Sequence, residues 1–308
     1  MTALHTRRSL LRLAGLGAIS CTLPGCASWP ARGSSSPLRL VFYTDIHART
    51  EWQTPQALEI AAQAINQENA DLVIAGGDLI TDGFQSTSEI AAPRWQAYLA
   101  MHNAISPQVH PVLGNHDLIA AIPEDGSRAS DDPRSEFREH FKLARTYRAF
   151  DAGGVHFILL DSVDINGGDL KYRGLIDGRQ LEWLDQTLAK IPNNKPIVVA
   201  SHLPLLTGFY QRTQGAATAA PANRVVTNNL EVLDRFSEHN LLLVLQGHLH
   251  VDELLRWRNT TFITGGAVCG KWWRGAWHGT RNGYGVVTLR KDRVDWRYIN
   301  YPWQTRRP

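Results

Sequence analysis

The sequence predicts one α/β domain that closes in antiparallel strands, and three observations carry that prediction. From Leu38 onward, short runs rich in Val, Ile and Leu alternate with segments of helical apolar spacing. After residue 250 the helical segments stop and only strand-like runs follow. The early runs end in clusters of Gly, Asp, Asn, Ser or His. Alternation of this kind lays helices over the faces of a largely parallel sheet.

Strands are expected at 38–44, 71–75, 109–113, 155–160, 196–200 and 241–246, each short and rich in branched apolar residues. Helices are expected between them at 55–69, 86–103, 134–141, 178–191 and 230–239. In Gln180-Leu181-Glu182-Trp183-Leu184 and Leu188, the apolar residues recur as on a helix that covers a sheet. The late strands are 253–257, 261–264, 283–289 and 294–298, with Arg290-Lys291-Asp292-Arg293 turning the last pair into a hairpin. No internal repeat is visible. Two long connections, 118–133 and 203–227, are able to cover a site. The second reads either as a mobile lid or as a loose surface loop.

The chain has 308 residues, ample for a large buried core. At 43% hydrophobic and 20% charged, it is neither a disordered chain nor a multispan membrane protein. Three cysteines exclude a disulfide-stapled scaffold and a Cys-only zinc cluster. Lys and Arg number 32 against 29 Asp and Glu, but Arg7, Arg8 and Arg12 fall in an N-terminal segment that has no acid. Without those three the body is neutral, so a broad nucleic-acid-binding surface is not expected.

That segment reads as an export signal. Thr6-Arg7-Arg8-Ser9-Leu10-Leu11-Arg12 precedes an apolar stretch from Leu13 to Leu23 that is too short to span a bilayer. The paired arginines resemble the twin-arginine type. Leu23-Pro24-Gly25-Cys26 resembles a lipoprotein processing site, which would leave Cys26 acylated and Cys269 as the one free thiol. Cleavage nearby, for example after Ala27, would instead release a soluble periplasmic protein. Residues 27–37, small, polar and Pro-containing, suit a flexible tether. The expected organisation is a signal at 1–26, a tether at 27–37 and a folded domain at 38–303.

The strand ends carry the chemistry. In chain order they present Asp45-Ile46-His47, Gly77-Asp78, Gly114-Asn115-His116-Asp117, Ser201-His202 and Gly247-His248-Leu249-His250. Open α/β sheets bind ligands at the carboxyl ends of their strands. A mixed His, Asp and Asn set suits Mn, Fe or Zn, whereas Mg or Ca would call for oxygen donors throughout. Gly77, Gly114 and Gly247 each precede a candidate ligand, where the chain must turn tightly.

This series resembles the calcineurin-like metallophosphoesterase superfamily, from about Leu38 to His250 and with every core motif present. The resemblance implies a four-layer αββα sandwich of two mixed sheets, with a dinuclear metal site at the strand ends. It implies that Asp45, His47 and His250 hold one metal ion, that Asn115, His202 and His248 hold the second, and that Asp78 bridges both. It further implies hydrolysis of a small phosphodiester or phosphomonoester by in-line attack of a hydroxide held by the metals. His116 is the candidate acid for the leaving oxygen, and Asp117 either orients its ring or is a plain turn residue. Asp82 either supports the site or forms the turn before Gly83. The purple acid phosphatase branch has Tyr three residues after the bridging Asp, where this chain has Thr81. The motifs are more like those of the cyclic-nucleotide phosphodiesterase branch.

Substrate choice points to the segment after Gly265-Gly266. Lys271, Trp272, Trp273 and Arg274 combine aromatic and cationic side chains, followed by Trp277, His278 and Arg281. They read either as a cleft wall, with Lys271 or Arg274 on a phosphate and a Trp on an organic group, or as tryptophans plugging the core beneath solvated charges. Trp296 and Trp303 read as core plugs. The expected partners are a small phosphate ester and, through a lipid on Cys26, a cell-envelope membrane.

Overall fold

The computed structural model describes residues 37–166, 168–291 and 293–308. The expected signal and the tether up to residue 36 lie outside these, as does Asp292 of the hairpin turn. The elements run β1 (Leu38–Tyr43), α1 (Thr54–Gln67), β2 (Leu72–Ala75), α2 (Ser88–Ala104), β3 (Val109–Pro111), α3 (Ser135–Phe141), β4 (Arg148–Ala152) and β5 (Val155–Leu160). They continue with β6 (Val163–Ile165), β7 (Tyr172–Gly174), α4 (Gly178–Leu188), β8 (Ile197–Ser201), α5 (Phe209–Gln214) and α6 (Asn229–Asp234). The chain closes through β9 (Leu241–Gln246), β10 (Glu253–Trp257), β11 (Thr260–Thr264), β12 (Tyr284–Arg290) and β13 (Arg293–Ile299).

Two mixed sheets form, ordered β13-β12-β1-β2-β3 and β10-β11-β9-β8-β5-β4, and β6 and β7 make a small separate ribbon. In the first sheet β1, β2 and β3 are parallel, and β12 and β13 extend it antiparallel. In the second, β5, β8, β9 and β11 are parallel between antiparallel edges β4 and β10. The parallel strands of both sheets are buried on both faces along most of their length, which explains their largely apolar sequences.

Alternation along β1 sets the layers. Leu40 and Phe42 pack between the sheets with Ile74, Leu159, Val198 and Leu245. Val41 and Tyr43 belong to the other core, with Leu58 and Ile65 of α1 and Trp95 and Tyr98 of α2. Leu181, Leu184 and Leu188 of α4 share that core with Ile158, Leu160 and Val199 of the second sheet. Helix, sheet, sheet and helix therefore stack as four layers. Asp177 caps α4, its carboxylate accepting from the Gln180 amide at 2.8 Å. Trp296 lies across Gly285 and donates from its indole to Asp252 at 2.8 Å, closing one end of the inter-sheet core.

The structure differs from expectation in several places. β4, the ribbon β6–β7 and α5 were not anticipated, and α6 stops at Asp234. The 203–227 connection is neither a lid nor loose. Phe209 and Tyr210 of α5 are buried with Leu249 and Val251, and Val226 donates to Pro204 at 2.8 Å. The 118–133 connection folds back on the turn at 83–86, where Ala120 donates to Ser86 and Ile122 to Phe84. Among the described residues, no helix is long and apolar enough to cross a membrane.

Candidate metal centre

The carboxyl ends of β1, β2, β3, β8 and β9 meet at one edge of the sandwich, and there the structure brings the seven candidate ligands together. Asp78 lies between two groups. Its Oδ2 is 3.2 Å from His202 Nε2 and 3.6 Å from His47 Nε2. On one side His47 Nε2 and His250 Nε2 are 3.2 Å apart, and His250 Nε2 is 3.2 Å from Asp45 Oδ1. On the other, His248 Nδ1 is 3.2 Å from His202 Nε2. Asn115 follows β3, flanked by Gly114 and by His116, whose amide donates to Asp78 Oδ1 at 2.8 Å. All seven are buried.

The backbone here is held in an unusual shape. Asp45, His47, Asp78, His248 and His250 all have positive φ, between 45° and 71°. Each such residue costs about 1–3 kcal/mol, and strain of this kind collects where surrounding structure fixes a functional geometry. Hydrogen bonds do the fixing. The amides of Ile46 and His47 both donate to Asp78 O at 2.9 Å, and Asp45 donates to Gly77 O at 3.0 Å. The His248 amide donates to Asp45 Oδ2 at 2.9 Å. Gly77 has φ +96°, and a Cβ there would lie 2.6 Å from His202 Nδ1, so only glycine fits both the turn and the approach.

Three of the imidazoles are pinned through the nitrogen that faces away from the cluster. His202 Nδ1 donates to Gly76 O at 2.9 Å, His250 Nδ1 to Gly270 O at 2.6 Å, and His248 Nε2 to Asn223 O at 3.0 Å. A carbonyl on one ring nitrogen leaves the other as a lone pair aimed inward, the arrangement of a metal-binding histidine. Asn115 Oδ1 is buried with no hydrogen-bond partner among the described residues, an acceptor in need of a cation or a donor.

Electrostatics give the same answer. Burial opposes ionisation of Asp45, yet His250 beside it holds its pKa at about 2. Burial likewise opposes Asp78, and His202 and His116 hold it well below the usual carboxylate range. Burial works against charge on His202 too, but Asp78 prevails and raises it to about 9. His250 is raised well above the usual range by Asp45 in the same way. His47 and His248 go well below, by burial first and then by His116 and His202 respectively. The two buried carboxylates, held ionised, call for positive charge beside them. Nitrogen and oxygen donors in this mixture fit two first-row cations.

Around the centre, His116 stands edge-on to His47 with ring centroids 4.7 Å apart. Asp117 does not orient its ring. Asp117 Oδ1 accepts from the Leu79 and Ile80 amides at 2.7 and 3.1 Å and Oδ2 from the Gly114 amide at 2.8 Å, which clamps the β2 and β3 ends together. The ring is held by Asp82, whose amide donates to His116 Nδ1 at 3.0 Å. Of the expected wall, Trp272 lies over the centre, 4.5 Å from the His250 ring. Trp273 is a plug, 3% exposed, with its indole donating to His47 O at 2.9 Å. Lys271 places its ammonium over Trp277 and Arg274 donates to Pro308 O.

Two neighbours escaped the sequence reading. Arg224 Nη1 is 3.4 Å from His248 Nε2, and Cys269 Sγ is 3.8 Å from His250 Nδ1. Arg224 lies in an irregular stretch with no motif. Its position follows from Val226 bonding to Pro204, a contact no local pattern announces. Arg224, His248, Trp272, Trp277, Phe209 and Tyr210 line a cleft of about 450 Å³ beside the centre.

Residues 38–252 match the calcineurin-like phosphoesterase family model, and the chain belongs to that family. It is a metal-dependent phosphoester hydrolase. A 3',5'-cyclic-nucleotide phosphodiesterase of Nostoc is 25% identical over 76% of this chain and 79% of its own length. A probable cyclic nucleotide phosphodiesterase of Synechococcus is 25% identical over 75% of this chain and 80% of its own. A dimetal phosphatase from Danio rerio has the same fold, with a TM-score of 0.59, 18% identity and coverage of 86% of this chain and 100% of the other.

Proposed function

We propose that the chain is an exported phosphodiesterase in which Asp45, His47 and His250 hold one metal ion, Asn115, His202 and His248 hold a second, and Asp78 holds both. The observation that carries this is the position of Asp78 between two histidine groups, 3.2 Å from His202 and 3.6 Å from His47. Mn, Fe or Zn fits the donors. Bound there, the pair would polarise the phosphoryl oxygens and lower the pKa of water.

The chain's own residues do the rest. Because the Asp82 amide donates to His116 Nδ1, neutral His116 carries its proton on Nε2. Hydrolysis forms a P–O bond to water and breaks the ester P–O bond; His116 Nε2–H donates a hydrogen bond that stabilises the departing oxygen, and that oxygen takes up the proton released by the attacking water. Arg224 and Trp272 at the cleft mouth hold the phosphate and stack on an organic substituent. The cleft accommodates a substituent on phosphorus besides the leaving group, as a diester requires. The names of the two cyanobacterial relatives support the same reading.

The test is a comparison of bis-(p-nitrophenyl) phosphate with p-nitrophenyl phosphate on the Mn-loaded protein. A higher kcat/KM for the diester is expected, and a preference for the monoester would reverse the assignment. Export rests on residues 1–26. In a bacterial host the full chain should fractionate with the envelope, Cys26→Ser should release it from the membrane fraction, and lysines at Arg7 and Arg8 should retain it in the cytoplasm.

A further inference from the structure

Beside the centre, on the His116 side, lies a recess that hydrolysis at two cations does not use. It holds about 160 Å³ and is lined by Arg49, Thr81, Asp82, Trp272, Arg274 and Arg307, and by Lys271. Three separate stretches of chain send guanidinium groups to it. Arg49 follows β1, and only 10% of its side chain is exposed. Its Nε is buried with no hydrogen-bond partner among the described residues. Glu51 Oε2 nevertheless lies 3.3 Å from that Nε as an ion pair, and Asp82 Oδ2 lies 3.5 Å from Nη2, both carboxylates half exposed.

Arg307 comes from the other end of the chain. Its Nη1 donates to Trp272 O at 2.8 Å, and its Nε too is buried without a hydrogen-bond partner among the described residues. Arg49 and Arg307 lie against the same ring, 4.7 and 4.4 Å from the centre of Trp52. Burial, then Arg274 and Arg49, lower the pKa of Arg307, as expected where like charges crowd. Four cationic residues, Lys271 among them, line one recess, answered by the half-exposed carboxylates of Glu51 and Asp82 beside Arg49 and by Pro308 O, which accepts from Arg274 at 3.1 Å. Guanidinium forks match phosphoryl oxygens in shape as well as charge.

The recess also adjoins the chemistry. Asp82 lines it and holds the His116 ring through its amide. Trp272 lines it and touches the His250 ring. We propose that this recess is a subsite for a second phosphoryl group, carried on the leaving-group side of the substrate. The natural ester is then a phosphodiester with two phosphoryl groups, and a cyclic mononucleotide would leave the recess empty. The location of the reacting phosphate rests on the function proposed above, whereas the anion site stands on the three arginines.

Calorimetry with methylenebisphosphonate and methylphosphonate tests it without turnover. The wild-type protein should bind the bisphosphonate at least tenfold more tightly than the monophosphonate. Arg274→Gln and Arg307→Gln, each with an unchanged melting temperature, should cut that advantage at least fivefold, and Arg274→Lys should restore part of it. An advantage absent in the wild type, or unaltered in both Gln variants, overturns the subsite. Phosphonoacetate binding as tightly as the bisphosphonate would overturn the phosphoryl assignment in favour of a carboxylate. A protein that keeps the bisphosphonate advantage but hydrolyses no ester would leave the subsite standing and refute the hydrolytic function.

Discussion

The backbone amide of Asp82 donates to Nδ1 of His116 at 3.0 Å, and this bond decides which ring nitrogen carries the proton. An imidazole that accepts at Nδ1 is protonated at Nε2 when neutral. The ring is thereby prepared as a donor toward the cluster, edge-on to His47.

His116→Ala should therefore lower kcat by about 10²–10³, the usual worth of one positioned donor to a developing oxyanion. Metal content should stay near that of the wild type. The loss should be largest for alkyl leaving groups and smallest for p-nitrophenolate, which departs without a proton. An equal loss across leaving groups, measured on a series of esters, would contradict a donor role at the departing oxygen.

Asp78 and Asn115 should differ in what they hold. Elemental analysis of Asp78→Ala should find fewer than one metal ion per chain, since the residue lies between both groups. Asn115→Ala should keep about one. Two ions retained in Asp78→Ala would remove the bridge from the account.

Gly114 faces Asp78 so closely that a Cβ would lie 2.1 Å from its amide nitrogen and 2.3 Å from its Oδ1. Gly114→Ala must move the backbone that carries Asn115 and His116. Thermal unfolding should show a loss on the order of 1–3 kcal/mol, the range for overpacking, together with loss of metal. An unchanged rate and metal content would mean that the β2 and β3 ends are not held as tightly as the amide bonds to Asp117 imply.

Stability should carry an acid limb from a residue outside the centre. His110 stacks on Phe150 at 3.9 Å, and burial, then Arg148, lower its pKa to about 4. An unfolded chain takes up that proton near pH 6.5, so stability is lost as pH falls from about 6.5 to about 4 and levels off below. At 1.36 kcal/mol per unit, this amounts to about 2 kcal/mol between pH 7 and 5. Urea titrations at the two pH values should find that His110→Gln loses about 2 kcal/mol less than the wild type.

The site was far more legible in the sequence than the outer parts of the fold. Each candidate ligand follows a strand whose apolar run is unambiguous, and strand ends meet by topology, so Asp45, His202 and His248 could be placed near one another from order alone. The edge strand Arg148–Ala152 escaped because it is half exposed and lacks alternation. The ribbon β6–β7 has three residues a side, too few for a period. Asp117 was read toward its chain neighbour His116, whereas its partners Leu79 and Ile80 lie just past the end of β2, 38 and 37 positions away. Arg307 reaches Trp272 over 35 positions of sequence, a contact set by the folded tail and by no local pattern.

The central claim is that Asp78 joins two cation sites into one catalytic centre. Titrating Mn into the metal-free protein while following bis-(p-nitrophenyl) phosphate hydrolysis tests it most directly. The account predicts no turnover without metal and a rate that saturates at two equivalents per chain. Saturation at one equivalent, or no turnover with Mn, Fe or Zn, would contradict it.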